Sequence, residues 1–266
     1  MGDSNIKKKG RKSKKKKPLF YPTDYWVQYQ DSSPLDYSPD RNGFIAKVFS
    51  IVLFMLLITA AFVGFVRSSE AMMELFVDSG VGSLLMLAGV AGMTILSCLL
   101  MCCPYMRLFP CTLIMLIVAV VCMSLITAYI TAYHKTEIIV YALITTAVTV
   151  LACLLLALTS FDFTKFLLYV FVVGIAFSVL SFLVFFASFA LGIWYKPLHL
   201  ALLFCGTILN VIMLIMELQM IIGGKAVSLN EDEYMFGAYM LYTSIVDLFL
   251  KMVQLFGLFL DMDFED

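Results

Sequence analysis

Residues 212–254 read IMLIMELQMIIGGKAVSLNEDEYMFGAYMLYTSIVDLFLKMVQ, and this stretch decides how the rest of the chain is interpreted. Two hydrophobic segments are joined there by a short polar turn, and each contains one carboxylic acid, Glu217 or Asp247. A charged side chain within hydrocarbon costs about 2.5–3.5 kcal/mol on the lower, insertion-based scale. Two such acids on neighbouring membrane helices therefore predict a functional site that the other helices shield from lipid.

The composition is that of a membrane protein. Of the 266 residues, 62% are hydrophobic and the mean hydropathy is +0.97, whereas soluble domains are about half apolar. Apolar runs of about 20 residues can cross the hydrocarbon as helices, and seven are present, at 45–66, 81–103, 109–133, 138–160, 166–190, 198–222 and 235–258. We therefore expect an all-α membrane protein of seven transmembrane helices, with a polar tail at 1–43, a transmembrane domain at 44–258 and a short acidic tail at 259–266.

The charge distribution predicts the orientation of the chain. Nine of the 18 basic residues lie in the run Lys7–Lys17, and basic residues mark the cytosolic side of a membrane protein. We expect a cytosolic, disordered N-terminal tail, with anionic lipid as a candidate partner of this run. Seven spans place the C-terminus on the opposite side, unless the last segment is re-entrant and returns it to the cytosol.

The seven cysteines lie within or at the edges of apolar runs, a pattern that argues against a disulfide framework. We interpret them as small packing residues, with palmitoylation of Cys102, Cys103 and Cys111 as the alternative. The sequence contains no nucleotide-binding loop and no zinc-ligand cluster. An intramembrane aspartyl protease is disfavoured because no Gly-x-Gly-Asp surrounds Asp247. We expect no enzymatic activity and no nucleic-acid partner.

Polar residues recur along one face of the last span. Ser244, Asp247, Lys251 and Gln254 are spaced by three and four residues, and such a stripe on a membrane helix must face protein or water. The last helix is therefore expected to be central. Asp247 and Lys251 also stand in the order that favours an i, i+4 ion pair, so simple neutralisation is an alternative interpretation of Asp247.

Glu217 has no basic residue three or four positions away. Asn210 precedes it on the same helix face, and Gln219 follows it. A pair of acids inside a membrane protein can respond to pH or bind a hard cation through carboxylate oxygens. A calcium ion at Glu217 and Asp247 is the candidate ligand, and no other cofactor is expected. The alternative is a hydrogen-bonded glutamate with a purely structural role.

Several quoted stretches carry a resemblance to a known family. They are the acid and Gln219 near the end of the sixth span, the segment SLNEDEYMFGAYMLYTSIVDLFLKMVQLFG, the first span RNGFIAKVFSIVLFMLLITAAFVGFV, and TSFDFT before the fifth span. Over residues 41–260 the chain resembles the transmembrane BAX inhibitor motif family. It is most similar to the lifeguard, or NMDA-receptor-associated, branch of that family.

The resemblance implies a gate made of acids on the sixth and seventh helices and an arginine near the end of the second. By position these fall on Glu217, Ser244 and Arg107, while Asp247 lies one turn after Ser244, about 4.5 Å along the axis. It also implies residence in the endoplasmic reticulum or Golgi. We expect a calcium leak channel or pH-sensitive calcium regulator that inhibits apoptosis. A non-conducting adaptor that restrains cell-death signalling, with cell-death regulators or other membrane proteins as partners, is the alternative.

Overall fold

The computed structural model describes residues 39–78, 80–103, 111–191, 196–230 and 233–263. Over these residues the chain forms α-helices and no strand: α1 Pro39–Ser68, α2 Glu70–Val77, α3 Val81–Cys102, α4 Cys111–Ala132, α5 Thr136–Ala157, α6 Leu167–Leu191, α7 Lys196–Ile222 and α8 Tyr234–Asp263. All except α2 are long and apolar enough to cross a membrane. The prediction of an all-α protein with seven transmembrane helices is confirmed.

The first and last helices of the chain extend beyond the boundaries expected from hydrophobicity. α1 begins at Pro39, before the expected domain boundary at 44, and α8 continues to Asp263, into the expected acidic tail. Proline is well suited to the first helical position because the N–H it lacks would have no helical partner there. Hydrophobicity reports only the part of a helix that lies in lipid, so polar end turns escape it.

Helix α2 lies in the segment between the first two predicted spans, 45–66 and 81–103. Phe76 is only 2% exposed and packs with Val66 of α1 and Ala128 of α4. Burying a side chain of this kind contributes about 1.5–3 kcal/mol, which a helix as short as α2 needs because it would not be stable alone. Any side chain at Gly82 would overlap the backbone of Phe76, so the start of α3 requires glycine there.

Helix α8 is the central helix, as expected. It packs against α1, α4, α5 and α7, and its Leu241, Tyr242 and Leu248 are fully buried. Helix α6 lies at the periphery, where it contacts α7 and the 3-10 turn Phe163–Phe166 and exposes most of its large apolar side chains. The placement of α8 gives its polar residues protein neighbours instead of lipid.

Three buried hydroxyl groups join α1, α4 and α8. The Thr59 hydroxyl donates to the Met55 carbonyl at 3.1 Å and lies 2.7 Å from the Tyr242 hydroxyl and 3.3 Å from that of Ser124. A threonine hydroxyl has one proton to donate and two lone pairs to accept with. Because its proton goes to Met55, Thr59 accepts from both Tyr242 and Ser124.

Replacing Thr59 by valine is expected to destabilise the protein by about 1 kcal/mol more than replacing Tyr242 by phenylalanine. Valine leaves two buried hydroxyls without their acceptor, whereas phenylalanine removes one donor and leaves Thr59 with Ser124. Melting temperatures in detergent measure the difference. Thr145→Val is the control, since that exposed hydroxyl bonds only to its own helix, at Tyr141. A larger loss for Tyr242→Phe would contradict the assigned donor directions.

Candidate functional site

Glu217 lies in the last two turns of α7 and is 5% exposed. Its Oε1 accepts a hydrogen bond of 2.8 Å from the Ser244 hydroxyl of α8. Its Oε2 is buried and has no hydrogen-bond partner. Since burying a carboxyl oxygen without a partner is unfavourable, this oxygen is the point in the site at which a proton or a cation would be stabilised.

An open cleft of about 240 Å³ adjoins this contact. It is lined by Met123, Asn210, Thr243, Ser244 and Asp247. The Asn210 side-chain amide donates to the main-chain carbonyl of Ser244 at 3.2 Å, so α7 and α8 are bonded twice at this level. Ser244 therefore takes part in both features: it lines the cleft, and its hydroxyl touches Glu217.

Asp247 forms the ion pair that its spacing from Lys251 favours. Its Oδ2 accepts from the Lys251 ammonium at 2.6 Å, and both side chains are half-buried. Lys251 also donates to the Gly206 carbonyl of α7 at 3.5 Å. Gln254 is half-buried further along α8. The polar residues of this α8 face therefore form two separate contacts. Ser244 bonds to Glu217 of α7, and Asp247 pairs with Lys251 of its own helix.

The polar side chains around the cleft supply mainly oxygen atoms. Glu217 and Asp247 supply carboxylates, and Asn210, Thr243 and Ser244 supply neutral oxygens nearby. Within the described part of the chain, no three His, Cys, Asp or Glu side chains gather into a metal site. Hard cations such as Ca²⁺ take oxygen ligands, and their affinity falls as the number of charged ligands falls. These oxygen atoms are of the type that a hard cation prefers, and with so few charged ligands its binding would be weak.

Gln219 does not line the cleft. It is fully buried, its Oε1 accepts from the Phe163 N–H at 2.8 Å, and its side-chain amide donates to the Phe161 carbonyl at 2.7 Å. Lys225 donates to the carbonyls of Thr159 and Phe161. Both residues fasten the loop between α5 and α6 to α7 and to the turn that follows it.

Asp162 makes a second connection between this loop and the α7–α8 turn. Its Oδ2 accepts from the Ala226 N–H at 3.0 Å, and its Oδ1 accepts from the Thr164 hydroxyl at 2.6 Å. Burial disfavours its charge, but the bonds from Thr164 and Ala226 and the nearby Lys165 outweigh burial and lower the pKa of the carboxyl. Asp162 is therefore charged at neutral pH and holds the loop there.

Two predicted features, Arg107 and the run Lys7–Lys17, lie outside the described residues. All seven cysteines are free, as the sequence pattern indicates. Cys102 and Cys111 are exposed, and their palmitoylation stays a prediction. Arg41, which no motif in the sequence marks as a site residue, bonds to the end of α7. Its one local signal is its position immediately before the first apolar run.

The chain matches the family described as "Inhibitor of apoptosis-promoting Bax1" over residues 41–261. It is 28% identical to Protein lifeguard 3 of Homo sapiens over 226 residues, which is 82% of this chain and 69% of that protein. It is 27% identical to Protein lifeguard 3 of Mus musculus over 219 residues, again 82% of this chain and 69% of the relative. The match contains both acids of the site, and the resemblance noted in the sequence is confirmed. The chain belongs to the family of inhibitors of apoptosis-promoting Bax1, and the relatives named here are lifeguard proteins.

Proposed function

We propose that this protein is a calcium leak channel or pH-sensitive calcium regulator of an internal membrane, the endoplasmic reticulum or Golgi, and that it restrains apoptosis. The observation that carries the proposal is the contact between Glu217 and Ser244 beside the cleft that contains Asp247. A buried carboxyl with one free oxygen, next to an opening lined by further oxygens, is suited to pass or sense a hard cation.

Protons and cations compete for the same oxygen atoms. A carboxyl that holds a proton offers one ligand oxygen fewer than a carboxylate, so proton uptake at Glu217 would weaken cation binding. The Ser244 hydroxyl donates to Glu217 and thereby keeps the carboxyl at the side of the cleft. In this proposal the pH response comes from Glu217, because Asp247 is already paired with Lys251.

Calcium efflux from vesicles that contain the purified protein tests the proposal. We expect Glu217→Gln to lower the efflux about tenfold, since an amide supplies one ligand oxygen where a carboxylate supplies two, and a hydrogen bond to a charged group contributes about 1.5–3 kcal/mol. We expect Asp247→Asn to alter the efflux less, because the Asp247 carboxylate is already paired with Lys251 and offers less free charge to a cation. Glu137→Gln is the matched control, because Glu137 is exposed in the first turn of α5. Efflux that is absent, or equal in wild type and Glu217→Gln, would rule out the channel.

A second candidate function is a non-conducting adaptor that restrains cell-death signalling through protein contacts. Two observations favour it: Ser244 stands where the family resemblance implies an acid, and Asp247 is neutralised by Lys251. The same variants separate the two functions in cells. An adaptor would show no efflux in vesicles, and both wild type and Glu217→Gln would protect cells equally. If the protein is a channel, Glu217→Gln would reduce both the calcium efflux and the protection of cells.

A further inference from the structure

Arg41, at the start of α1, holds the end of α7. Its Nη2 donates to the carbonyls of Met220 and Ile221, each at 2.8 Å, and its Nε donates to that of Ile222 at 3.2 Å. Its Nη1 donates at 2.8 Å to the carbonyl of Leu229, in the turn after α7. The last carbonyls of a helix lack helical donors and carry partial negative charge. The fixed fork of one guanidinium thus satisfies three such carbonyls and secures the turn.

Gly223 allows this close approach. Its φ of 82° is the left-handed conformation that favours glycine after a helix end, and a Cβ there would lie 2.7 Å from the Nε and Nη2 of Arg41. Gly224 also has a positive φ, 73°, but a Cβ there would meet nothing within 4 Å. Position 223 therefore favours glycine for two reasons, its positive φ and the space that Arg41 occupies. Position 224 favours glycine because of its positive φ alone.

The carbonyls held by Arg41 belong to the helix segment that carries Glu217. Met220 is one turn after Glu217, and its carbonyl also accepts from the Leu229 N–H at 3.1 Å. The ring of Phe44, one turn along α1, lies 4.8 Å from the guanidinium carbon of Arg41. A shift of α1 relative to the end of α7 would therefore move Glu217 with respect to Ser244.

We propose that Arg41 is a positioning residue for the Glu217–Ser244 contact. It fixes the last turns of α7, and so the height of Glu217 opposite α8, and it couples the start of α1 to this site. The effect of Arg41 on ion movement rests on the function proposed above. Its effect on the position and stability of the helix end does not.

Hydrogen exchange on the full chain in nanodiscs tests the mechanical part. In Arg41→Ala we expect exchange to rise about tenfold from Glu217 through Leu229, because the helix end opens locally once its charged donor is lost. Arg41→Lys restores only part of the protection, since one ammonium cannot span four carbonyls. Lys47→Ala is the control. It also removes a basic residue of α1, but the exposed Lys47 faces the ring of Tyr234 at the start of α8 and not the end of α7. An increase that is absent, or that stops short of Glu217, would overturn the proposal.

The two glycines provide an independent test. Gly223→Ala and Gly224→Ala both place alanine at a positive φ, 82° or 73°, but only the first also displaces Arg41. We expect Gly223→Ala to raise exchange at the helix end more than Gly224→Ala in the wild-type background, and equally in the Arg41→Ala background. A difference between the glycines that persists without Arg41 would contradict the assigned contact. This test stands even where Arg41→Ala alone folds poorly, because the first comparison retains Arg41.

The effect of Arg41 on ion movement is tested by measuring the pH at which calcium efflux is half-maximal. We expect Arg41→Ala to shift this midpoint, while Lys47→Ala leaves it unchanged. A role limited to stability would lower the amount of folded protein and leave the midpoint in place, and an unchanged midpoint would overturn the coupling. If the wild type shows no efflux, the proposed function fails, and the exchange experiments still decide whether Arg41 positions Glu217.

Discussion

Replacing Gln219 by leucine is expected to lower the free energy of unfolding by about 1–3 kcal/mol, because it leaves the Phe163 N–H without its acceptor and the Phe161 carbonyl with Lys225 as its remaining donor. Gln219 is 0% exposed and bonds to the Phe163 N–H and the Phe161 carbonyl. Leucine has a similar size but neither donor nor acceptor. Water does not readily replace the lost bonds, since the amide lies within the packed end of α7.

Melting temperatures in detergent, together with hydrogen exchange of residues 158–166, measure the effect of Gln219→Leu. Gln254→Leu is the matched control, since Gln254 is half-buried on α8 and the same change there is expected to have a smaller effect. Exchange should rise in the α5–α6 loop before it rises in α8. Equal losses of stability for the two glutamines would show that Gln219 does not fasten this loop.

Replacing Ser244 by aspartate is expected to give the site a pH response stronger than that of the wild type. The Ser244 hydroxyl lies 2.8 Å from Oε1 of Glu217, so an aspartate there would bring two carboxyl groups into contact. Carboxyls at such a distance share one proton over a wide pH range, because the first charge disfavours ionisation of the second carboxyl. At higher pH the shared proton leaves, and the two charges repel each other across the α7–α8 contact.

We expect calcium efflux by Ser244→Asp to differ about tenfold between mildly acidic and mildly alkaline vesicles, which corresponds to about 1.4 kcal/mol between the two protonation states. Its melting temperature should fall over the same range, which is a readout that does not depend on conduction. Thr243→Asp is the control: Thr243 lines the same cleft, but its hydroxyl bonds to Tyr239 and Met240 of its own helix. The same pH response in both variants would exclude pairing with Glu217.

The sequence determined the architecture, because continuous apolar runs of about 20 residues cross hydrocarbon as helices, which satisfy all their main-chain hydrogen bonds internally. It also determined the pair of Asp247 and Lys251, since residues four apart on a helix are neighbours whatever surrounds them. Glu217 stood out for the same local reason: an acid without a basic neighbour inside a span needs a partner from elsewhere.

Only the tertiary structure decided what those partners are. Ser244 meets Glu217, Gln219 holds the α5–α6 loop, and Arg41 bonds to the end of a helix that lies far from it along the chain. These contacts join side chains, or side chains and main-chain groups, of different helices and loops, so no spacing within a single helix records them. The register between packed helices sets which groups meet, and that register depends on the side-chain shapes of the whole bundle.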